Sequence, residues 1–209
     1  MILWGATTSR TMRAHWALAE LGLTYERRPI EPRTGDTKTL EFTALTARQK
    51  IPLLQDGELI LTESAAIVTY LSDRYATAET ALVPRAAAER AVCLEWLFFV
   101  ISELDATSLY VMRRHLDLKH IYGEAPVANE AAAAYFTAQM RSVDRALSDG
   151  GEFIAGARFS AADIVLSTCL SWAERYGVPI SDRAAAYHAR LTARPAFALA
   201  TERNRAVWD

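Results

Sequence analysis

The chain has 209 residues, about half of them apolar, which is enough for one sizeable core or two small domains. Its 23 Lys and Arg against 25 Asp and Glu leave a net charge of −2, which removes any global electrostatic basis for binding nucleic acid or an acidic membrane surface. The longest uncharged apolar run, Leu97 to Ser102, is too short to cross a bilayer.

The first residues, Met1-Ile2-Leu3-Trp4-Gly5, carry no basic region and no long apolar stretch, so they do not read as a signal peptide. Ile2 to Trp4 is a short strand. The small polar loop Gly5 to Thr11 follows, and apolar residues from Met12 to Leu21 then recur at helical spacing, with Gly22 at a C-cap position. Leu23 to Ile30 alternates and reads as a strand. These thirty residues are β-α-β, a parallel strand pair with a crossover helix. Glu31 to Thr46 is polar and irregular, a long loop with one helical turn around Leu40 to Leu45.

Ile51 to Leu54 and Glu58 to Leu61 are two apolar runs around Asp56-Gly57, a strong turn signal, so they pair as a hairpin. Thr62-Glu63-Ser64 then opens a helix to Tyr75, its Ser, Thr and Glu suited to the free N–H groups of a helix start. Pro52 stands where a strand begins and has no N–H for a ladder. Locally it reads as a trans proline opening an edge strand or as a cis Ile51–Pro52 bond that leaves the Ile51 backbone groups for an extended ligand. The order β-α-β, loop, β-β-α resembles a thioredoxin-like domain of about 80 residues. Lys50-Ile51-Pro52, the Asp-Gly hairpin and Leu61-Thr62-Glu63-Ser64-Ala65-Ala66-Ile67 together resemble the glutathione-binding half of a cytosolic glutathione transferase. That resemblance implies a cis proline at 52.

Thr77 to Pro84 marks a boundary, after which the chain is helical and alanine-rich. Ala86 to His120, without Gly or Pro, predicts one or two helices. Gly123 to Pro126 interrupts, and Ala128 to Leu147 is a long helix stopped by Gly150-Gly151. Phe153 to Gly156 is short and apolar. Ser160 is a predicted N-cap with Asp163 at N3, and Phe159 and Ile164 are placed as a hydrophobic staple. This resembles the capping motif of the transferases' C-terminal domain, and it makes Asp163 structural rather than catalytic. A buried-type helix runs from Ile164 to Tyr176. Helices over 182–193 and 196–204 finish the bundle, and the tail to Trp208 and Asp209 folds back on the surface. The predicted organisation is a thioredoxin-like α/β domain at 1–76, a linker at 77–85 and an all-helical bundle at 86–209.

Thioredoxin-like folds put their reactive group at the N-terminus of the first helix, where free N–H groups favour an anion. Here the loop holds no cysteine, so dithiol chemistry by the protein is excluded. A hydroxyl that donates to sulfur would lower a thiol pKa instead. Laid on this loop, the family pattern puts that hydroxyl at Ser9, then Thr8, then Thr11, with Arg10 where cysteine-type members carry their cysteine. Ser9 and Thr11 equally suit simple helix caps. Arg10 suits either charge to the thiolate or a solvated surface.

By themselves Glu63 and Ser64 are a helix cap. The resemblance assigns Glu63 to the γ-glutamyl ammonium of glutathione and Ser64 to its carboxylate. It gives the backbone of Ile51, next to Pro52, to the cysteinyl residue, and Gln49 and Lys50 to the glycyl carboxylate, with help from Arg33 or Lys38. A second substrate would meet Trp96, Phe99, Tyr110 and Arg113, although aromatic residues at helical spacing equally suit a core.

Cys93 and Cys169 lie in apolar helical patterns and read as buried thiols of a reducing compartment. The four histidines make no metal spacing. No metal or organic cofactor is implied, glutathione being a co-substrate. The resemblance, of the bacterial type with a serine or threonine loop, implies attack of glutathione thiolate on a small electrophile by a cytoplasmic homodimer. Isomerisation, dehalogenation or ether cleavage on the same fold, a non-catalytic binding protein and a plain helical scaffold are the alternatives.

Overall fold

The computed structural model describes residues 1–148 and 151–207. The expected helix stop at Gly150 and the end of the tail at Trp208 and Asp209 lie outside them. The chain divides into two compact units, one formed by Met1–Val83 with the segment from Thr192 onward, the other by Pro84–Leu191. Sequence reasoning placed everything from residue 86 in one helical body, but the last helix packs with the first unit.

In the first unit, β1 (Ile2–Trp4), α1 (Ser9–Glu20) and β2 (Glu26–Arg28) form the predicted β-α-β. A 3-10 turn at Asp36–Lys38 and α2 (Leu40–Leu45) occupy the long loop. Then come β3 (Leu53–Asp56), β4 (Leu59–Thr62) and α3 (Ser64–Tyr75). The sheet order is β2-β1-β3-β4, with β1 parallel to β2 and the other pairs antiparallel. Ile51–Pro52 is cis. The ladder of β3 starts only at Leu53, since a proline has no N–H to give it.

Period-two alternation puts Leu3 and Leu54 on one face of the sheet and Trp4 and Leu53 on the other. Trp4 and Leu53 are buried with Ile30 and Phe42, and the Trp4 and Phe42 rings meet at 5.7 Å. The linker is pinned by Ser72, whose Oγ accepts from the N–H groups of Leu82 and Val83 at 3.0 and 2.9 Å.

The terminal helix α10 (Pro195–Arg203) joins this unit through long-range polar chemistry. Arg194 grips Glu20 with two nitrogens, at 2.6 and 2.7 Å, and Phe197 meets Trp16 edge-on at 4.8 Å. Arg27, buried on β2, donates to the carbonyls of Arg203, Arg205 and Val207. A guanidinium satisfies several orphan carbonyls at a helix C-terminus and opposes its negative dipole end.

His15 closes the crossover from inside. One ring nitrogen meets the Tyr25 hydroxyl at 2.7 Å and the other the Gly5 carbonyl at 3.2 Å. Burial holds its pKa down at about 4; the Gly5 carbonyl opposes this and the charges of Arg27 and Arg203 add to it. The imidazole is therefore neutral in the fold, while the unfolded chain takes up its proton first as pH falls. The stability is complete above the unfolded value near 6.5 and is lost as pH falls towards 4, about 3 kcal/mol over that window. Urea midpoints at pH 7 and pH 4.5 should show that loss, and His15→Gln should flatten it. An unchanged pH dependence in the variant would refute the assignment.

The second unit contains α4 (Ala87–Phe99), a π-helix at Val100–Leu109, α5 (Tyr110–His115), α6 (Lys119–Tyr122), α7 (Pro126–Ser148), α8 (Ala161–Arg175) and α9 (Asp182–Thr192). The π-helix was not foreseen. Thr107 and Ser108 donate to carbonyls five residues back, those of Ser102 and Glu103, at 2.7 and 2.6 Å. Hydroxyls that reach back in this way compete with the ordinary helical ladder. At the centre lies α8, buried on nearly every side. It opens with the predicted capping box. Asp163 accepts from the Ser160 N–H and hydroxyl, both at 2.8 Å, the Ile154 N–H at 2.9 Å and the Tyr187 hydroxyl at 2.6 Å. Among the described residues no helix is long and apolar enough to cross a membrane.

Candidate active site

The loop after β1 is forced into shape by Gly5. Its φ is +122°, and a Cβ there would stand 2.7 Å from the Thr11 methyl and 2.8 Å from Ile51 Cβ. Only glycine fits both the backbone angle and the space. Gly5 thus brings the start of α1 against the segment before Pro52, Thr11 and Ile51 being 40 residues apart. Thr7 also has a positive φ, 63°, and its hydroxyl donates to Glu31 at 2.8 Å.

The start of α1 lies three residues earlier than its apolar pattern, because Thr8 is the cap. Thr8 Oγ1 accepts from the Thr11 N–H at 3.0 Å, and the Thr8 N–H donates to Thr11 Oγ1 at 3.1 Å. The capping pair is therefore Thr8 and Thr11, not Ser9 and Thr11. Thr11 is fully buried, and its single hydroxyl proton has two acceptors, Asn204 Oδ1 at 2.6 Å and the Thr8 carbonyl at 2.8 Å. Thr8 Oγ1 lies 3.0 Å from Thr11 Oγ1. Both threonine hydroxyls are thus committed to protein partners.

Ser9 is half-buried, in the first helical position, and its hydroxyl has no protein partner among the described residues. The first turn of α1 holds no acidic residue, and Arg10 stands half-buried in it. The first turn itself supplies no carboxylate to offset the positive end of the helix dipole, which favours an anion.

Asn204, at the C-cap of α10, is a residue sequence reasoning missed. Its backbone carbonyl accepts from the Thr7 N–H at 2.8 Å, its Oδ1 accepts from Thr11, and its Nδ2 donates to the Thr8 carbonyl at 3.3 Å. No local pattern signals it, for its partners lie almost the whole chain away. Arg13 was missed too. It is fully buried on α1 and donates to Ser64 Oγ at 3.3 Å. Its position between Met12 and Ala14 on a buried helix was the available signal.

The predicted ligand-binding residues gather around α3 and the segment before β3. Glu63 is the N-cap residue of α3 with φ 70° and makes no side-chain cap bond. Its exposed carboxylate instead pairs with Arg48 at 3.2 Å, and Arg48 also donates to the Thr62 hydroxyl at 2.9 Å. Ser64 is buried at the first helical position. Gln49 has φ 50°, and its amide donates to Thr43 at 3.1 Å. Lys50 is exposed, with no hydrogen bond or ion pair among the described residues. Ile51 lies outside the β3 ladder. Arg33 and Lys38 are exposed on the long loop. All four of the described non-glycine residues with positive φ, Thr7, Arg33, Gln49 and Glu63, belong to the segments named here, a concentration of backbone strain that functional sites tend to show.

Of the four residues expected to meet a second substrate, Trp96 and Phe99 line one cleft together. Trp96 and Phe99 contact edge-on at 5.5 Å and line a cleft of about 390 Å³ with Glu95, Ser142, Arg145 and Ala146. Tyr110 and Arg113 do not line it, and the Arg113 guanidinium lies 5.9 Å from the centre of the Trp172 ring. Among the described residues no group of His, Cys, Asp and Glu is placed to hold a metal ion.

Two family models match the chain, the glutathione S-transferase N-terminal domain over residues 1–73 and the glutathione S-transferase C-terminal domain over residues 126–196. Glutathione S-transferase 2 of Anopheles gambiae is 35% identical over 146 residues, 69% of this chain and 66% of that protein. A probable maleylacetoacetate isomerase of Vibrio cholerae is 28% identical over 98% of this chain and 97% of its own. Among solved structures, the theta class glutathione S-transferase of Xanthomonas axonopodis pv. citri, with glutathione bound, superimposes with a TM-score of 0.79 at 29% identity, covering 94% of each chain.

Proposed function

Because the chain belongs to the glutathione S-transferase family, we propose that its first unit binds glutathione and activates its sulfur as a thiolate for attack on a small electrophile. The observation that carries this reading is the Ser9 hydroxyl, uncommitted among the described residues, at the N-terminus of α1, whose first turn holds no acidic residue. A hydroxyl there donates to sulfur and favours the thiolate, and the helix field acts in the same sense. The thiol proton leaves to solvent, and the sulfur lone pair then forms the new bond to the electrophile, whose leaving group departs with its bonding pair or whose double-bond pair moves to the far atom and takes up a proton from solvent. The protein supplies charge stabilisation and proximity and forms no covalent intermediate.

Anchoring follows charge. Glu63 receives the γ-glutamyl ammonium, exchanging it for Arg48, and Ser64 with the N-terminus of α3 receives the neighbouring carboxylate. Buried Arg13 adds positive charge beneath Ser64. The Ile51 backbone pairs with the cysteinyl residue beside Pro52. Exposed Lys50 takes the glycyl carboxylate, with Gln49 a lesser partner because its amide already serves Thr43. Trp96 and Phe99 are proposed for the second substrate. The chain is read as a cytoplasmic homodimer without further cofactor.

Glutathione-dependent isomerisation is the second reading, favoured by the Vibrio cholerae relative that matches over nearly the full length of both chains. The test is the thiol pKa of bound glutathione, followed by thiolate absorbance against pH. From a free-thiol value near 8.5 it should fall by about two pH units. Failure to bind glutathione would overturn the proposal. Product analysis, adduct against isomer, separates the two readings.

A further inference from the structure

We propose that Asn204, at the far end of the chain, is the positioning residue that holds the hydroxyl-bearing loop in its active shape. The inference rests on the reading of Ser9 as the sulfur-facing hydroxyl. Ser9 has no side-chain bond among the described residues, so its place depends on its neighbours. Three groups of Asn204 take hold of residues on both sides of it. The carbonyl receives the Thr7 N–H, Oδ1 receives the Thr11 hydroxyl, and Nδ2 reaches the Thr8 carbonyl. One amide side chain thus supplies an acceptor and a donor to a buried threonine pair that would otherwise keep one acceptor and one donor fewer.

Asn204 is itself held firmly. Its N–H donates to the Ala200 carbonyl at 2.9 Å, closing α10. That helix is docked by the Arg194–Glu20 pair, by Phe197 on Trp16 and by the Arg27 fan over the carbonyls of residues 203, 205 and 207. Removal of the amide therefore leaves the docked helix and the Thr7 bond in place and takes away only the grip on Thr8 and Thr11. The ligand anchors at Glu63, Ser64 and Lys50 lie on other elements, so the loss should appear in turnover and sulfur activation rather than in glutathione affinity.

The experiment compares wild type, Asn204→Ala, Thr11→Val and the double variant, reading thiolate absorbance of bound glutathione, KM and kcat at pH 6.5, and the thermal midpoint. Asn204→Ala should raise the bound thiol pKa by about one pH unit and lower kcat about tenfold, with KM for glutathione within about twofold. The double variant should be no worse in thiol pKa than Thr11→Val alone, since both changes break one chain of contacts. A purely structural Asn204 would lower the thermal midpoint and leave the thiol pKa of the folded protein unmoved, which would overturn the proposal. Additive effects of the two substitutions on thiol pKa would overturn it too. Wild type that binds glutathione without lowering its thiol pKa would instead refute the underlying Ser9 reading, and the inference with it.

Discussion

Asp163→Ala should destabilise the protein by about 3 kcal/mol or more and leave glutathione binding by the folded protein intact. The carboxylate is fully buried and faces only donors, the Ile154 and Ser160 N–H groups and the Ser160 and Tyr187 hydroxyls. Burial pushes its pKa up, and the four donors pull against that. Deleting the acceptor strands several buried donors together, each costing on the order of 1–3 kcal/mol, with partial relief as the site relaxes. Asp163→Asn should be little better, because its amide N–H groups would confront donors. Urea unfolding followed by far-ultraviolet circular dichroism and by tryptophan fluorescence checks the loss. Full stability with abolished turnover would mean that Asp163 is catalytic after all.

Ser9→Ala should raise the thiol pKa of bound glutathione by about one to two pH units and lower turnover near pH 6.5 by roughly 10- to 100-fold. One hydrogen bond to a charged sulfur is worth about 1.5–3 kcal/mol, and one pH unit corresponds to about 1.4 kcal/mol. Stability should hold, since the Ser9 side chain bonds no described residue. Thr8→Val gives the contrast. Its hydroxyl caps α1 through the Thr11 N–H, so its loss should cost about 1 kcal/mol of stability and leave the thiol pKa low. The reverse pattern, with Thr8→Val raising the thiol pKa and Ser9→Ala silent, would transfer the sulfur-facing role to Thr8 and overturn the assignment.

Much of this was legible in the chain because the signals are local. Asp56-Gly57 predicts its hairpin, Ser160 and Asp163 their capping box, and Glu63-Ser64 the start of α3; each depends on residues within a few positions. The start of α1 was placed too late because apolar spacing begins at Met12, while the true cap, Thr8, sits in a run of hydroxyl residues that offers several equivalent choices. The π-helix escaped notice because a pattern of period 3.6 does not register hydroxyls bonded five residues back. Trp96, Phe99, Tyr110 and Arg113 stand along one predicted helical stretch, and the surroundings of each follow from packing that the periodicity of one helix does not encode.

The sequence by itself determined the order of the strands and main helices of the first unit, the hairpin and the Ser160–Asp163 capping box, and it offers the polar residues from which a glutathione site is proposed. Tertiary structure decided how firmly the Thr8–Thr11 pair beside the uncommitted Ser9 is held, since Asn204, 193 residues beyond Thr11, accepts from its hydroxyl. It also decided that Gly5 sits against Ile51 and that the last helix joins the first unit through Glu20, Trp16 and Arg27. The physical reason is one of range. Capping and turn formation balance within a few residues, whereas the seat of a capped loop is fixed only when distant parts of the chain take hold of it.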